Sequence, residues 1–544
     1  MVIDRKKYGV VYTPDKLAHF VSKLMVEEGK ENSNRKVIVL DPACGEGALL
    51  EATLNLLGKS SVYCGIDIDS AIINKNNLQL GESMKFILRD FIVPKGGTCS
   101  SEYWKEQIGT VNYIIANPPW SSDKIYEKTD LAKIGYTFID GQYDNYVLFI
   151  ELCLKLIQEN GICAFILPDS IFSSKNKKLR KKLCEETSIC VVARLGEKIF
   201  KDVNRATSII VIKKQKPDKD TRTKCFRLNT NERKLFIQNA MDLYECYQES
   251  VHIVKQSRFL ETEECLFDLD IMESDEQLIR KIERNKINWQ EIFSFGRGVE
   301  ISKTGKVVTC QYCNMAQGFT KKHEMRKNKP CTNCGKIIPI NSSFVETIIL
   351  DEDPNDTMQK IYVGENLHRY KLQGNRYIKL NIKGINYKNP SNYAGSKIII
   401  RKTGLGIDAC IDNDGTYISQ TIYYCKYLDK NNKIPLEYYL AILNSRVIYY
   451  YYIKEYGENE WKSHPYLTKD IIYSLPVKEY TDTELTKEII LLAKSMLSNY
   501  DRNKDLLLEK KVMELYGLTE EEITKIKSEL NALPDLGAIN DMKF

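Results

Sequence analysis

The stretch Lys36-Val-Ile-Val-Leu-Asp-Pro-Ala-Cys-Gly-Glu-Gly47 decides the fold of the first half of this chain. A short β-branched run from Lys36 to Leu40 leads into a glycine turn, and a helical pattern follows from Ala48 to Leu57. At such a junction, glycines let the backbone pass close to a ligand, and unpaired N–H groups at the helix start can bind a carboxylate. This order predicts a strand, a ligand-binding turn and a helix.

Outward from this stretch, strand and helix patterns alternate over the first 245 residues. Further strands are predicted at 62–68, 85–88, 111–115, 161–167 and 190–193, with a helix at 143–159. Residues 205–213 and 224–228, separated by a polar stretch, are predicted to form a closing hairpin. The alternation predicts an α/β fold with a Rossmann-like, doubly wound, mostly parallel sheet that binds ligands at the carboxyl ends of its strands.

The chain has 544 residues, which is too long for one ordinary core and indicates several domains. We expect a first domain at 1–245, an acidic helical linker at 246–290 and a mixed, β-rich second domain at 291–480. A cysteine-containing insertion is expected at 303–340 and C-terminal helices at 481–544. The second domain is predicted from aromatic-rich strands with Gly and Asn turns, and the helices from apolar residues at helical spacing.

The net charge is concentrated in one segment. Lys and Arg number 79 against 73 Asp and Glu, a balance of +6, and residues 303–329 alone carry seven bases and one acid. The segment therefore holds a charge of +6, which indicates a local anionic partner, although a basic run is often only a solvated surface. The sequence shows no apolar stretch of transmembrane length and no secretory signal, so we expect a cytoplasmic, nucleoid-associated protein of a prokaryotic cell.

Acidic residues stand at the ends of the second and third predicted strands. Asp67 ends the second strand, where a carboxylate can accept both hydroxyls of a ribose, and Asp90 ends the third, where it can accept from an adenine amino group. With the turn from Asp41 to Gly47, these positions favour a nucleoside cofactor over a plain α/β turn with surface acids. Neither GxGxxG nor GxxxxGK[ST] occurs, which argues against a dinucleotide and against ATP.

Asn117-Pro118-Pro119-Trp120 follows the strand that ends at Ala116. An adenine amino group is a poor nucleophile because its lone pair is delocalised into the ring. The side-chain oxygen of Asn117 and the carbonyl of Pro118 could accept both of its hydrogens, and Trp120 offers a flat face for an extruded base. Standing alone, the tetrapeptide could equally be a proline-rich turn capped by a packing Trp.

Together these motifs resemble the gamma-class N6-adenine DNA methyltransferases of the TaqI type. The segment Tyr12-Thr13-Pro14, the loop from Asp41 to Gly47 and the motif from Asn117 to Trp120 match that family's motifs in the family's order. The resemblance implies that S-adenosylmethionine is the cofactor and double-stranded DNA the substrate. It gives the cofactor-binding residues as Tyr12, Thr13, Pro14, Asp41, Ala43, Gly45, Gly47, Asp67, Ile68, Asp90, Phe91 and Asn117.

The same resemblance implies that the catalytic residues are Asn117, Pro118, Trp120 and Phe200, with Phe200 forming the second face of a base-flipping pocket. Trp120 departs from the family pattern, which more often has Tyr or Phe. Asn117 favours adenine, because the N4-cytosine relatives usually begin the tetrapeptide with Ser. The segments 362–367, 399–403, 443–445 and 461–476 look like landmarks of the family's target recognition domain.

Cys310-Gln-Tyr-Cys313 and Cys331-Thr-Asn-Cys334 are separated by 17 residues, which is the spacing of four-thiolate zinc sites. We expect a closed structural zinc site at Cys310, Cys313, Cys331 and Cys334, in preference to four coincidental buried thiols. Beside the basic segment, such a module would contact phosphates more plausibly than bases. The other twelve cysteines are scattered and are expected to be buried free thiols.

These features predict a DNA adenine methyltransferase of a restriction-modification, defence or epigenetic system, with a separate restriction endonuclease as a possible partner. One alternative is a methyltransferase acting on RNA or on a protein glutamine, since the NPP motif serves any planar amino group. Another is an inactive DNA-binding protein on a methyltransferase fold. No credible PD…ExK nuclease motif is present. Glu509-Lys-Lys511 has the ExK spacing but lies in a helical run, which argues against a nuclease site.

Overall fold

The computed structural model describes residues 12–29, 37–80, 84–96, 98–121, 126–140, 143–201, 205–261, 264–340, 344–353, 356–457 and 466–544. The chain forms two compact units. The first contains Met1–Asp275 and Lys454–Ser463, and the second contains Glu276–Ile453 and His464–Phe544. The first unit thus extends beyond the boundary expected at residue 245.

A nine-stranded sheet forms the centre of the first unit within the described residues. The strands are β1 Ile38–Asp41, β2 Val62–Asp67, β3 Lys85–Leu88, β4 Val111–Ala116, β5 Ile157–Pro168, β6 Ser188–Gly196, β7 Thr207–Lys213, β8 Arg222–Arg227 and β9 His252–Lys255. They lie in the order β3-β2-β1-β4-β5-β7-β6-β8-β9. The pairs β1–β2, β1–β4, β2–β3 and β4–β5 are parallel, as predicted. Strand order reverses between β1 and β4, which is where ligands bind in such sheets.

The predicted hairpin of residues 205–228 is wrong. Strand β7 pairs antiparallel with β5 and β6, and β8 pairs in parallel with β6 on its other side. Because residues 207–212 are all buried, β7 needs a hydrogen-bonding partner along both edges. The polar connection is long enough to pass β6, and the apolar pattern of the two strands carries no signal of which neighbour each one takes.

The expected linker at 246–290 is partly sheet. Residues 252–255 form β9, which pairs antiparallel with β8, so this segment belongs to the first unit. The acidic residues between Glu261 and Glu283 made the whole segment look like a solvated helix. Its helical parts are the end of the helix Leu243–Ser250, the helix Glu276–Glu283 and the start of the helix Trp289–Ile292. In the second of these, Leu278, Ile279 and Ile282 are buried on one side.

Helices cover both faces of the large sheet. They are α1 Asp15–Glu28, α2 Ala48–Leu57, α3 Ser70–Leu80, α4 Ser100–Ile108, α5 Lys128–Lys133, α6 Asn145–Leu156, α7 Lys177–Glu186, α8 Thr230–Ile237 and α9 Leu243–Ser250. Alternate strand residues face opposite cores. Leu40 and Ile114 pack with Trp104 of α4, whereas Val39 and Tyr113 pack with Leu17 of α1. This doubly wound arrangement confirms the predicted α/β fold class.

The second unit is rich in short strands. These are β10 Phe293–Arg297, β11 Lys306–Thr309, β12 Ala316–Gly318, β13 Asn328–Pro330, β14 Ile337–Pro339, β15 Val345–Thr347, β16 Ile349–Leu350, β17 Gln359–Tyr362, β18 Leu367–His368, β19 Lys371–Leu372, β20 Tyr377–Ile378, β21 Lys397–Arg401, β22 Ala409–Asp412, β23 Tyr417–Ile418 and β24 Ile422–Tyr427. Its four-stranded sheets have the orders β10-β24-β21-β22 and β16-β20-β17-β23. The cysteine insertion contributes β11 and β12, which form a sheet with the following strand β15, and the pair β13-β14.

Its helices are α10 Glu276–Glu283, α11 Trp289–Ile292, α12 Lys321–Arg326, α13 Leu436–Leu443, α14 Arg446–Tyr456, α15 Lys469–Ser474, α16 Glu484–Ser498, α17 Arg502–Leu515 and α18 Glu520–Asn531. The last three confirm the predicted C-terminal helices.

Two of the segments predicted as target-recognition landmarks have a structural role. Asn444 forms hydrogen bonds with both backbone groups of Ala409, and Ile399 is buried in β21. Glu509 is buried on α17 beside Arg446, so it braces the fold. Positions 461–465 lie outside the described residues.

Of the twelve scattered cysteines, ten are buried, and Cys99 and Cys190 are partly exposed. Among the described residues, every helix is too short or too polar to cross a bilayer.

Candidate functional site

The carboxyl ends of β1, β2, β3 and β4 meet at a cavity of about 320 Å³ in the first unit. Ten of the predicted cofactor-binding residues line it: Tyr12, Thr13, Asp41, Ala43, Gly45, Asp67, Ile68, Asp90, Phe91 and Asn117. Five predicted site residues do not line it: Pro14, Gly47, Pro118, Trp120 and Phe200. The sequence motifs therefore converge on one cavity, with the tetrapeptide that was predicted to be catalytic at its border.

The glycine turn has the backbone shape that its sequence predicts. Gly45 and Gly47 have φ values of 48° and 88°, in the left-handed region that favours glycine. A methyl group on Gly45 would lie 3.6 Å from the ring of Tyr12, so the turn and the N-terminal segment enclose one end of the cavity. Gly47 precedes the first turn of α2 and does not line the cavity, so its role is to allow the backbone conformation of the turn.

Asp41 is a buried acid with one unused oxygen. Its side chain is 1% exposed, and Oδ1 accepts from the Ala43 N–H at 3.0 Å. Oδ2 is buried and has no hydrogen-bond partner among the described residues. Burial raises the pKa of Asp41 to about 8, with a smaller contribution from the charge of Asp67. A buried carboxylate that lacks a partner is costly, so the site favours a ligand that donates to it.

Asp67 is held by the glycine turn. Oδ2 accepts from the Gly45 N–H at 3.0 Å and Oδ1 from the Asp69 N–H at 2.9 Å. Burial raises the pKa of Asp67, and these backbone bonds oppose the rise. The carboxylate is fixed at the end of β2, beside the turn, as a ribose-binding acid requires.

Asp90 has a partner that sequence reasoning missed. The Tyr126 hydroxyl lies 3.1 Å and 2.9 Å from the two Asp90 oxygens, and the Ile92 N–H donates to Oδ1 at 2.8 Å. Tyr126 also lines the cavity. It follows the tetrapeptide without a recognisable motif, so the sequence carried no signal for it. Phe149, from α6, likewise lines the cavity and stacks on Phe91 at 5.3 Å.

Asn117 is oriented by the N-terminal segment. Its Nδ2 donates to Thr13 Oγ1 at 3.1 Å, which fixes the amide so that Oδ1 is the opposite, accepting end. Both residues line the cavity, 104 positions apart in the chain. Thr13 therefore positions the residue that was predicted to act on the amino group.

Trp120 and Phe200 lie against each other. Each is 3% exposed, and their ring centroids are 5.3 Å apart with planes at 89°. Arg205 Nη1 donates to the Trp120 carbonyl at 2.5 Å, and Trp120 Nε1 is buried without a partner among the described residues. The two predicted walls of a base pocket are thus neighbours, but this conformation leaves no gap between them.

The charge of the cavity favours a cationic ligand. Six acidic residues line it: Asp15, Asp41, Glu46, Glu51, Asp67 and Asp90. Of the basic residues at its border, Lys75 is paired with Glu46 at 3.0 Å, and Arg89 is exposed. A cation would relieve the repulsion between buried acids, whereas a polyphosphate would increase it. The donors and acceptors of the cavity therefore fit S-adenosylmethionine, which carries an ammonium and a sulfonium, better than a nucleotide phosphate.

The four CxxC cysteines form one cluster in the second unit. Their sulfur atoms all lie within 4.8 Å of one another, with 3.7 Å between Cys310 and Cys334 and 3.6 Å between Cys313 and Cys331. These distances are far longer than a disulfide bond. They match the edge, about 3.8 Å, of a thiolate tetrahedron with zinc–sulfur bonds of about 2.3 Å. The donor set and its geometry thus fit zinc.

Two family models match the chain. The model for N-6 DNA methylases matches residues 3–286, and the model for TaqI-like C-terminal specificity domains matches residues 359–477. The first covers the whole cavity and more than half of the chain. It also extends past residue 245, in agreement with the observed extent of the first unit.

Similar proteins include methylases of restriction systems. The methylase subunit of the type I restriction enzyme MjaVII from Methanocaldococcus jannaschii is 26% identical over 55% of this chain and 48% of its own length. The type II methyltransferase M.BanIII from Aneurinibacillus aneurinilyticus is 27% identical over 37% of each chain. The chain therefore spans about half or less of the length of these relatives. A cryo-EM structure of a DrdV–DNA complex shares the fold, with 10% identity and a TM-score of 0.52 over 91% of this chain and 58% of that one.

Proposed function

The chain belongs to the N-6 DNA methylase family, and we propose that it is a site-specific DNA adenine methyltransferase. In the proposed reaction, a methyl group passes from S-adenosylmethionine to N6 of an adenine extruded from duplex DNA. The observation that carries the proposal is the hydrogen bond from Asn117 to Thr13 at the border of the acidic cavity. This bond fixes the orientation of the Asn117 amide, with the nitrogen toward Thr13 and the accepting oxygen on the opposite side. The amide lies beside a site suited to a cationic nucleoside.

The cavity residues would hold the cofactor by charge and hydrogen bonding. When bound, S-adenosylmethionine supplies an electrophilic methyl group. Asp41 would accept from its ammonium group, which supplies the partner that Oδ2 lacks. Asp67 would accept from the ribose hydroxyls, and Asp90 from the adenine amino group beside the Phe91 ring. The walls would be shaped by Tyr12, Thr13, Ala43, Gly45 and Ile68. Gly47 would maintain the turn, and Pro14 would connect Thr13 to the start of α1.

Asn117 and Pro118 would prepare the target amino group. The Asn117 side-chain oxygen and the Pro118 carbonyl would each accept one N6 hydrogen, which draws the nitrogen toward tetrahedral geometry and makes its lone pair available. The two prolines fix this turn without adding a competing N–H donor. Asn117 thereby acts on the substrate, and Thr13 keeps its amide in the required orientation.

Trp120 and Phe200 would hold the extruded base by stacking. Because the rings touch each other edge to face, base capture requires them to separate. The base would then replace an aromatic contact with stacking contacts of comparable kind.

The second unit would bind the duplex. The match to a specificity domain supports a DNA-recognition role for residues 359–477. The four cysteines would hold a structural zinc ion, and the adjacent exposed bases Lys321, Lys322, Arg326 and Lys327 would contact phosphates. As in restriction-modification systems generally, a separate restriction endonuclease could accompany such an enzyme.

Radiolabelled methyl transfer to duplex DNA, duplex RNA and protein tests this proposal. N6-methyladenine formed only in duplex DNA, and lost in Asn117→Ala, is the expected result. Preferred labelling of RNA or of a glutamine side chain would mean that the enzyme methylates that substrate and not DNA. Duplex binding without any transfer would favour an inactive DNA-binding protein.

A further inference from the structure

One surface of the second unit combines basic and aromatic side chains. We call it the aromatic-basic patch and define it by Arg297, Lys402, Tyr466, Lys469 and Tyr473, over the inner rings of Phe295 and Tyr423. Arg297 pairs with Tyr423 across β10 and β24. The patch is contiguous, because the ring of Phe295 lies 4.9 Å from that of Tyr423 and 5.4 Å from that of Tyr473.

The aromatic rings hold two of the cations in place. Lys402 Nζ lies 5.8 Å from the ring of Tyr423 and 6.0 Å from the ring of Tyr466. Lys469 Nζ lies 4.9 Å from the ring of Tyr473 and 6.0 Å from the ring of Phe295. Cation–π contacts at these distances order side chains that are normally mobile. A ligand that binds both ammonium groups therefore finds them already positioned.

The cations of the patch are not neutralised by nearby acids. Within the described part of the chain, none of Arg297, Lys402 and Lys469 has a carboxylate oxygen within 4.0 Å. Burial is the main cause that raises the pKa of Tyr423; the charge of Arg297 opposes the rise, and the charge of Asp470, next to Lys469 in sequence, adds a smaller increase. Other exposed lysines of the same unit are paired, as in Lys379–Glu346 and Lys303–Glu365.

Arg297 and Lys402 are also close enough to repel each other. Partial burial lowers the pKa of Lys402, and the guanidinium of Arg297 lowers it further. Two like charges held together over a sheet destabilise the free protein slightly, and a bound anion would remove that repulsion. Tyr466 adds an exposed ring, 53% accessible, beside these charges.

We propose that the aromatic-basic patch binds the phosphodiester backbone of duplex DNA. Arg297, Lys402 and Lys469 contact phosphates, and the Tyr466 ring packs against the neighbouring sugar and base edge. The inference rests on the proposed function, because DNA is the polyanion that this enzyme would bind. Fixed cations interleaved with an aromatic platform are what nucleic-acid backbones require, whereas an acidic protein segment offers no flat sugar or base for Tyr466. Four of the five residues lie in the matched specificity domain.

Salt-dependent binding of a fluorescent mixed-sequence duplex tests the patch. Arg297→Gln, Lys402→Gln and Lys469→Gln should each lower the magnitude of the slope of log K against log salt by about 0.9, the value for one phosphate contact. Lys379→Gln is the matched control, because Lys379 is an exposed lysine already paired with Glu346, and its slope should not change. Lys402→Arg should keep the wild-type slope. Tyr466→Ala should weaken binding, whereas Tyr466→Phe, which keeps the ring, should not.

The outcomes separate this inference from the proposed function. If the wild-type protein bound no duplex DNA and transferred no methyl group, the proposed function would fail. If the wild-type protein bound duplex DNA and transferred the methyl group, but the three Gln variants kept the wild-type salt slope, the patch would not be a DNA-binding surface. Circular dichroism would show that these variants are folded. If the Gln variants lost binding to a matched RNA duplex but bound duplex DNA as the wild type does, the assignment would also be overturned.

Discussion

The indole of Trp120 meets the ring of Phe200 edge to face, with 5.3 Å between centroids and both side chains buried. A base sandwiched between two rings needs about 3.5 Å on each side, or roughly 7 Å between the ring planes. The observed pair must therefore open before it can hold a base. If the two rings hold the base as proposed, the pocket forms on binding, whichever ring moves.

Trp120→Ala should weaken capture of the extruded base by about 1–3 kcal/mol, the value for one aromatic ring stacked on one base. A duplex with 2-aminopurine at the target position reports extrusion by its fluorescence. Phe200→Ala should reduce the same signal if Phe200 forms the second wall. Unchanged fluorescence enhancement in the folded Phe200 variant would assign that residue to the hydrophobic core alone.

The affinity for S-adenosylmethionine should depend on pH through Asp41. Its pKa of about 8 lies above the unfolded value of 3.8, so the folded apoprotein holds a proton that the unfolded chain has lost. The contribution of Asp41 to stability therefore falls as pH rises from about 4 to about 8. A bound cation favours the ionised carboxylate, so binding should strengthen toward pH 8, at most about tenfold per pH unit, with release of a proton.

Calorimetry in buffers of different ionisation enthalpy measures this proton release. Asp41→Asn should reduce it, and the remainder would come from Asp67 and from the cofactor itself. Identical proton release in the wild type and the Asn variant would mean that Asp41 does not contact the cation.

Thr13→Val should lower kcat with little change in KM. The substitution preserves shape but removes the oxygen that accepts from Asn117, and one such bond contributes about 0.5–1.5 kcal/mol, or roughly 2- to 12-fold in rate. Thr13→Ser, which keeps the hydroxyl, should lose less. Steady-state methyl transfer decides between them, and an equal loss in both variants would contradict a positioning role for the hydroxyl.

Cys331→Ser should reduce the metal content from one zinc per chain and weaken duplex binding. Zinc binding contributes folding free energy locally, so the loss should unfold the cysteine module of the second unit while the cavity of the first unit still binds S-adenosylmethionine. Metal analysis and titrations with duplex and cofactor test this. If the zinc-free variant bound duplex DNA with an unchanged salt slope, the module would not contact phosphates.

The cofactor half of the site was predictable because its residues have local causes. The turn from Asp41 to Gly47 needs left-handed glycines, and Asp67 and Asp90 stand at strand ends that a parallel sheet brings together. These features appear in the sequence at fixed positions relative to predicted strands. The matched family model agrees with that part of the chain.

The remainder depends on contacts that no local pattern encodes. Tyr126 reaches Asp90 from a segment without a motif, and Thr13 meets Asn117 across 104 residues. The pairing of β7 with β5 and β6 was mispredicted because fully buried strands look alike, whichever neighbour they have. The acidic run after residue 245 likewise concealed β9.

The central claim is that Asn117 directs methylation of adenine N6 in DNA, and methylation mapping tests it most directly. The protein and its Asn117→Ala variant would be expressed in cells without endogenous adenine methylation, and modified bases would be read by single-molecule sequencing. The account predicts N6-methyladenine at one recurring short sequence with the wild type and none with the variant, although both bind S-adenosylmethionine and duplex DNA. N4-methylcytosine in place of N6-methyladenine, or wild-type methylation by the Asn117→Ala protein, would contradict it.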